Sequence, residues 1–155
     1  MTITAQAAAS VGASPKDVLE FVLDLDQYRQ VDSKIQKVRS VEGPDDEGRG
    51  SVRIWGKVKG FPPAPDRQEF VLERWTKLTF TGAPRQPARL VFDFTGIIAC
   101  QERPDGSTEV THSYEFRFKG LFRLAERNLG KWLQDQIEEE LEALAERFYE
   151  RNRQG

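Results

Sequence analysis

The chain has one cysteine, one histidine and one methionine in 155 residues. A lone Cys100 excludes an intrachain disulfide and any cysteine-built metal centre. A lone His112 excludes histidine-rich metal sites, and any Ser-His-Asp arrangement would hinge on that one residue. No run comes near the ~20 consecutive apolar residues of a membrane-spanning helix, so no integral membrane association is expected. An excess of one charge is missing too: 23 Lys+Arg against 25 Asp+Glu give a formal net charge of −2. That balance makes no overall electrostatic case for nucleic acid or for an anionic membrane surface. The opening Met1–Ser14 lacks the basic start and apolar core of a secretion signal, and a cytoplasmic location is expected. Asp45-Asp46-Glu47 has no calcium-loop spacing, and the chain calls for neither a metal nor a cofactor. Internal repeats, low-complexity tracts and linkers are also missing, which leaves a single domain over residues 1–155, able to bury a proper core. A monomer or homodimer is expected.

What is present is organised around the last stretch, Gly120 to Arg151. Leu129, Leu133, Ile137, Leu141, Leu144 and Phe148 recur at steps of three and four, a single stripe of 3.6-residue period. Phe122, Ala125, Trp132 and Ala145 widen it. The spacing predicts one amphipathic helix roughly 45 Å long. The run Glu138-Glu139-Glu140 reads as part of its solvated face. Burying the six stripe residues could stabilise the fold by roughly 9–18 kcal/mol as an upper bound. An isolated helix gains none of this, so a sheet is needed under it.

The rest of the chain supplies one. Residues 2–11 alternate as a strand. Ser14-Pro15-Lys16-Asp17 then starts a helix, with Ser14 as N-cap, Pro15 at the first helical position and Asp17 in the first turn. Val18, Leu19, Phe21, Val22 and Leu25 form its apolar stripe, and a second short turn of helix follows around Asp26–Asp32. From Ile35 to Arg117 the period drops to two. Strands are predicted at 35–42, 50–60, 68–75, 78–81, 89–101 and 108–119. Proline-rich loops fall at Phe61–Asp66 and Gly82–Pro87, and Arg103-Pro104-Asp105-Gly106 is a hairpin turn. Strands joined by short loops, with helices at both ends of the sequence, give an α+β fold built on a six- to seven-stranded antiparallel meander. Such a sheet twists and curls, and the long helix covers its one apolar face.

That order, with Ala13-Ser14-Pro15-Lys16-Asp17-Val18 opening the first helix and Leu25-Asp26-Gln27-Tyr28 closing it, resembles the START / Bet v 1-like superfamily. Within it the chain looks most like the polyketide cyclase/dehydrase branch. The pattern SPxxVxxxVxDLxxY, Ser14 to Tyr28, carries the likeness along with the architecture, and it is a structural signature without chemistry. Proline and tryptophan often follow that tyrosine in the family; here Arg29-Gln30-Val31-Asp32 stand there. The resemblance implies a helix-grip fold, in which a curved sheet wraps the last helix and leaves a cavity between them.

Candidate site residues follow from strand faces. Leu90, Phe92, Phe94 and Ile98 share one face of their strand; Val110, His112, Tyr114, Phe116 and Phe118 share one face of the next. His112 could act as a general acid or base, or be a core histidine with one hydrogen bond and no partner evident from spacing. Tyr114 points to the same side, and polar tips in an apolar wall are how small-molecule sites fix orientation. Arg74 follows Phe70 and Leu72 by twos and would face inward, seeking a carboxylate or a ligand anion. Asp93 could serve it only with a flipped register. Trp132 flanks the helix stripe at the expected cavity. The proposed ligand contacts are thus Arg74, Leu90, Phe92, Phe94, His112, Tyr114, Phe116 and Trp132, with His112 and Tyr114 the only catalytic candidates.

Three functions fit. The first is binding or transport of a hydrophobic or amphipathic small molecule such as a lipid, isoprenoid or polyketide-like aromatic. The second is a cyclase, aromatase or dehydratase using His112 and Tyr114 as proton handlers. The third is a partner-binding module with no small ligand. Many apolar inward positions and few titratable ones favour the first.

Overall fold

A computed structural model describes residues 2–154. The chain begins with β1 (Ile3–Val11), followed by the helices α1 (Pro15–Leu23) and α2 (Leu25–Tyr28). Six strands come next: β2 (Ile35–Glu42), β3 (Arg49–Gly56), β4 (Ala64–Glu73), β5 (Lys77–Gly82), β6 (Phe92–Glu102) and β7 (Thr108–Phe118). The last helix, α3, runs over Glu126–Gln154. All seven strands form one antiparallel sheet in the order β1-β7-β6-β5-β4-β3-β2. This is the α+β helix-grip architecture.

The local chemistry behind the elements is plain at α1. Ser14 holds extended backbone angles, and its hydroxyl accepts from the Asp17 N–H at 3.2 Å. Pro15 fills the first helical position, where its missing N–H costs nothing. Ser14→Ala is expected to destabilise the chain by about 1 kcal/mol and Ser14→Gly by only a few tenths, measured by urea melting. A loss under about 0.3 kcal/mol for Ser14→Ala would mean that the cap contributes nothing.

All six stripe residues of α3, Leu129 through Phe148, are buried. They divide between two apolar clusters. Leu129, Leu133 and Ile137 pack with Ile3, Ala5, Tyr114, Phe116 and Phe118. Leu141, Leu144 and Phe148 pack with α1, α2 and the inward side chains of β3 to β7. Side-chain bonds also tie the helix to β1. Gln134 both accepts from the Gln6 N–H and donates to its carbonyl, and Asn152 donates to the Gly12 carbonyl. So α3 lies along the β1 end of the sheet, and the concave surface under β3 to β6 is left for something else.

Several boundaries differ from the sequence reading. Gly120–Ala125 is a 3-10 turn, with Gly120 at φ +55°, and the α-helix begins only at Glu126. Pro87–Leu90 is likewise a 3-10 turn, so Leu90 is not in β6. Ala64, Pro65 and Asp66, expected in a loop, start β4. Pro65 pairs with Trp55 of β3, whereas β5 joins β4 only from Gln68 onward. With one neighbour there, the strand tolerates a residue that cannot donate.

Candidate functional site

The concave face holds a cavity of about 300 Å³. Aromatic and aliphatic side chains make most of its wall: Phe80, Phe92, Phe94 and Phe116 from β5 to β7, Val52 and Ile54 from β3, and Leu25 from α2. Val58, Phe61 and Pro62 close it on the side of the β3–β4 connection. Gly96 lets the Phe94 ring lie against the strand, since a Cβ there would sit 2.9 Å from Phe94 Cζ.

Five of the polar side chains on the wall come together at one place, while Lys57, Asp66 and Gln68 line it apart from them. Tyr28, Asp32, Lys34, His112 and Tyr114 all border the cavity, and behind them stands Glu140 of α3, only 1% exposed. Glu140 accepts from the Tyr28 hydroxyl at 2.6 Å and from the Tyr114 hydroxyl at 2.7 Å. Lys34 donates to Glu140 Oε1 at 3.0 Å, and its ammonium is 2.9 Å from Asp32 Oδ1. Asp32 also accepts from the Lys34 backbone N–H at 3.0 Å. His112 Nδ1 lies 2.5 Å from Glu140 Oε2, although its N–H direction is off the line of an aligned hydrogen bond. The Lys34 ammonium sits 4.5 Å from the Tyr114 ring centre, a favourable cation–π distance.

The cluster lies where the two apolar cores meet. Ile137 belongs to one core and Leu141 to the other, and Glu140 falls between them on the helix. Burial alone would push the Glu140 carboxyl up. The His112 charge at close range, then Lys34, then the hydrogen bond from Tyr28 overcome this and hold it far below its ordinary value. Asp32 moves the other way, raised by burial and by Glu140. Burial opposes the Lys34 ammonium, but Asp32 and Glu140 outweigh it and raise its pKa. Burial first, and the two carboxylates after it, push both tyrosine hydroxyls well up, which keeps them as O–H donors. Formal ionisation of Asp32, Glu140 and Lys34 leaves one uncompensated negative charge beside the His112 ring. Chemically the arrangement can meet a polar group with an ammonium, a phenol and an imidazole inside a largely apolar chamber.

Of the residues expected from sequence, Phe92, Phe94, His112, Tyr114 and Phe116 meet at the cavity. Three do not. Arg74 lies one residue beyond the end of β4, exposed, with its guanidinium donating to the Asp45 carbonyl at 3.3 Å. Leu90 points to solvent from its 3-10 turn. Trp132 packs on the Ile3–Phe118 core and is absent from the cavity wall, as is every other residue of α3. Asp93 is paired with Lys119 rather than Arg74. Glu140, expected in solvent, is the centre of the buried network, and Tyr28, Asp32 and Lys34 join it. Among the described residues, no group of three His, Cys, Asp or Glu side chains is placed to hold a metal, and no helix is long and apolar enough to cross a membrane.

A curved seven-stranded sheet, two short helices after the first strand and a long last helix define a START / Bet v 1-type fold. The chain belongs to the family described as polyketide cyclase / dehydrase and lipid transport, whose profile matches residues 2–148. Similar solved structures include a START superfamily protein from Mycobacterium smegmatis (TM-score 0.71, 14% identity, 94% of this chain and 98% of that one). The Zhui aromatase/cyclase from Streptomyces sp. R1128 has TM-score 0.62 and 18% identity over 96% of this chain and 87% of its own. Norcoclaurine synthase from Thalictrum flavum, a point mutant with a transition-state analogue, has TM-score 0.64 and 14% identity over 98% and 97%. At these identities the likeness is one of fold. No curated protein matches the sequence.

Proposed function

We propose that the chain binds a hydrophobic or amphipathic small molecule in the concave cavity, with the ligand's polar end at Lys34, His112 and Tyr114. The observation that supports this is the division of the wall: apolar over most of its area, with Tyr28, Asp32, Lys34, His112 and Tyr114 gathered at one place. Small-molecule sites combine those two features, a large apolar lining and a few convergent polar groups. Their volumes run from about 300 to 1,000 Å³, and about 300 Å³ here favours a molecule of a few rings or a single chain over a two-chain lipid.

A second reading is an acid–base enzyme of the cyclase or dehydratase kind. It is favoured by one contact, the 2.5 Å between Glu140 and the Nδ1 of His112. A carboxylate behind an imidazole is how a histidine is oriented for proton transfer.

One experiment separates the two. Native mass spectrometry of the purified chain should detect a bound small molecule, and that molecule is then titrated against the parent and His112→Gln proteins. Binding spread over many apolar contacts predicts that His112→Gln weakens affinity by no more than about tenfold. If the variant still binds but turns the molecule over a hundredfold more slowly, the enzyme reading holds. A chain that captures neither its own ligand nor a hydrophobic dye while folded is not a carrier.

A further inference from the structure

Leu121, Leu124 and Leu90 are the most solvent-exposed large apolar side chains of the described residues, at 86%, 79% and 76%, and Phe122 beside them is at 42%. One exposed leucine needs no explanation, but a contiguous group does. The segments are far apart in sequence and adjacent in space. The Lys119 N–H donates to the Val91 carbonyl at 2.8 Å, joining the Pro87–Leu90 turn to the Gly120–Ala125 turn. The Phe61 ring centre lies 6.1 Å from those of both Phe118 and Phe122, which brings in the β3–β4 connection. Val58, Phe61, Ala88 and Val91 of these same segments border the cavity. The leucines therefore crown one end of it.

Charge marks the same place. Residues 56–63, 83–91 and 119–125 carry six basic side chains (Lys57, Lys59, Arg85, Arg89, Lys119, Arg123) and no acidic one, within a chain whose formal net charge is −2. Arg89 and Lys119 are tied to Asp66 and Asp93, and Lys57 donates to the Phe61 carbonyl. Lys59, Arg85 and Arg123 stand exposed on the same three segments. Protruding apolar side chains ringed by cations complement a bilayer surface, where apolar groups sink below anionic headgroups. A second copy of the chain fits worse, because two such faces would press like charges together.

We propose that this end of the molecule docks on an anionic lipid bilayer, with Leu90, Leu121 and Leu124 entering the headgroup boundary and Lys59, Arg85 and Arg123 meeting the phosphates. Docking there would set the cavity against the membrane. Only that purpose, exchange of a ligand with the bilayer, rests on the ligand-binding reading above; the docking itself does not.

The test is sedimentation of the full chain with vesicles of phosphatidylcholine alone and of phosphatidylcholine mixed with phosphatidylglycerol. Binding is expected on the mixed vesicles, weaker on the zwitterionic ones, and falling as salt is added. The double variant Leu121→Ala/Leu124→Ala should lose about tenfold or more in partitioning on both vesicle types. Arg123→Gln should lose about fivefold, and only on the anionic vesicles. These side chains are exposed, so an unchanged thermal melt will show that the fold is intact. The proposal is overturned if the folded parent ignores both vesicles, if the double variant binds as tightly as the parent, or if the leucines drive self-association without vesicle binding. Vesicle docking by a chain that takes up no cavity ligand would remove the ligand reading and leave this one standing.

Discussion

Glu140→Ala is expected to cost about 3–5 kcal/mol, the range for removing one partner from a buried charge pair. The loss is large because Glu140 is the common acceptor of the network. Without it, Lys34 keeps only Asp32, the Tyr28 and Tyr114 hydroxyls lose their acceptor, and His112 loses the charge beside it. Tyr28, Tyr114 and His112 are buried and Lys34 is mostly so, and water cannot take the missing role at low cost. The same geometry fixes a pH dependence. The carboxyl of Glu140 is held below its ordinary value of 4.5, so it stabilises the folded chain above that pH, and the contribution is lost as the pH falls below it. Asp32 acts in the opposite sense. Its carboxyl is raised above 3.8, so its contribution weakens folding as the pH climbs through that interval. Glu140→Ala lacks the Glu140 contribution altogether, so acid should destabilise the parent more than this variant. Urea melts at neutral pH and in acid measure both effects. A loss under about 1 kcal/mol at neutral pH, the size of an exposed ion pair, would mean that the cluster does not act as a buried unit.

Leu141→Ala comes next, with an expected loss of about 2–5 kcal/mol from lost burial plus the cavity left behind. Leu141 sits in the core shared by Val11, Val18, Leu19, Leu144 and Phe148, a place where helix and strands close from several sides. Rigid surroundings collapse poorly into a hole, which points to the upper part of that range. At about 2–4 °C per kcal/mol for a chain of this size, the midpoint should drop by roughly 4–20 °C. A change under ~0.5 kcal/mol is what a surface substitution gives, and would mean that the stripe from Leu129 to Phe148 does not face the core.

Both substitutions fall on adjacent residues of α3, yet only one of them could be read easily from the sequence. The apolar stripe was legible because six large side chains repeat at the helical period, and no loop or strand imposes that spacing. The strands were legible for the matching reason, a period of two broken by proline and glycine. Glu140 was misread because it ends a run of three glutamates, and such runs are usually solvated. Its spacing carried the correct signal: three residues after Ile137, seven after Leu133 and four before Leu144, it lies on the buried stripe. A charge on that stripe called for a partner, and His112, Tyr114 and Tyr28 supply it. Lys34 and Asp32 gave no such warning, since they flank the start of β2 in a short irregular segment where neither period operates. Arg74 and Leu90 failed together. In each case the alternation of a strand was carried beyond its end, Arg74 past Glu73 and Leu90 ahead of Phe92, where a turn replaces the pleat. Trp132 widens the helix stripe as expected, but α3 leans on β1 and β7 instead of spanning the cavity.

The pairing of β1 with β7 bears on the order in which the protein is made. Ala5 faces Tyr114 in that ladder, more than a hundred residues later in the chain, and β1 also leans on α3. On the ribosome, β1 emerges first and then waits: its hydrogen-bonding edge stays open through the synthesis of five further strands, until β7 and α3 have left the exit tunnel. Unpaired edges of this kind recruit other chains, and closing such distant contacts is slow. The alternating alanines of β1, Ala5, Ala7 and Ala9, make a weakly adhesive strand, suited to a segment that must stay unoccupied until its own partner arrives.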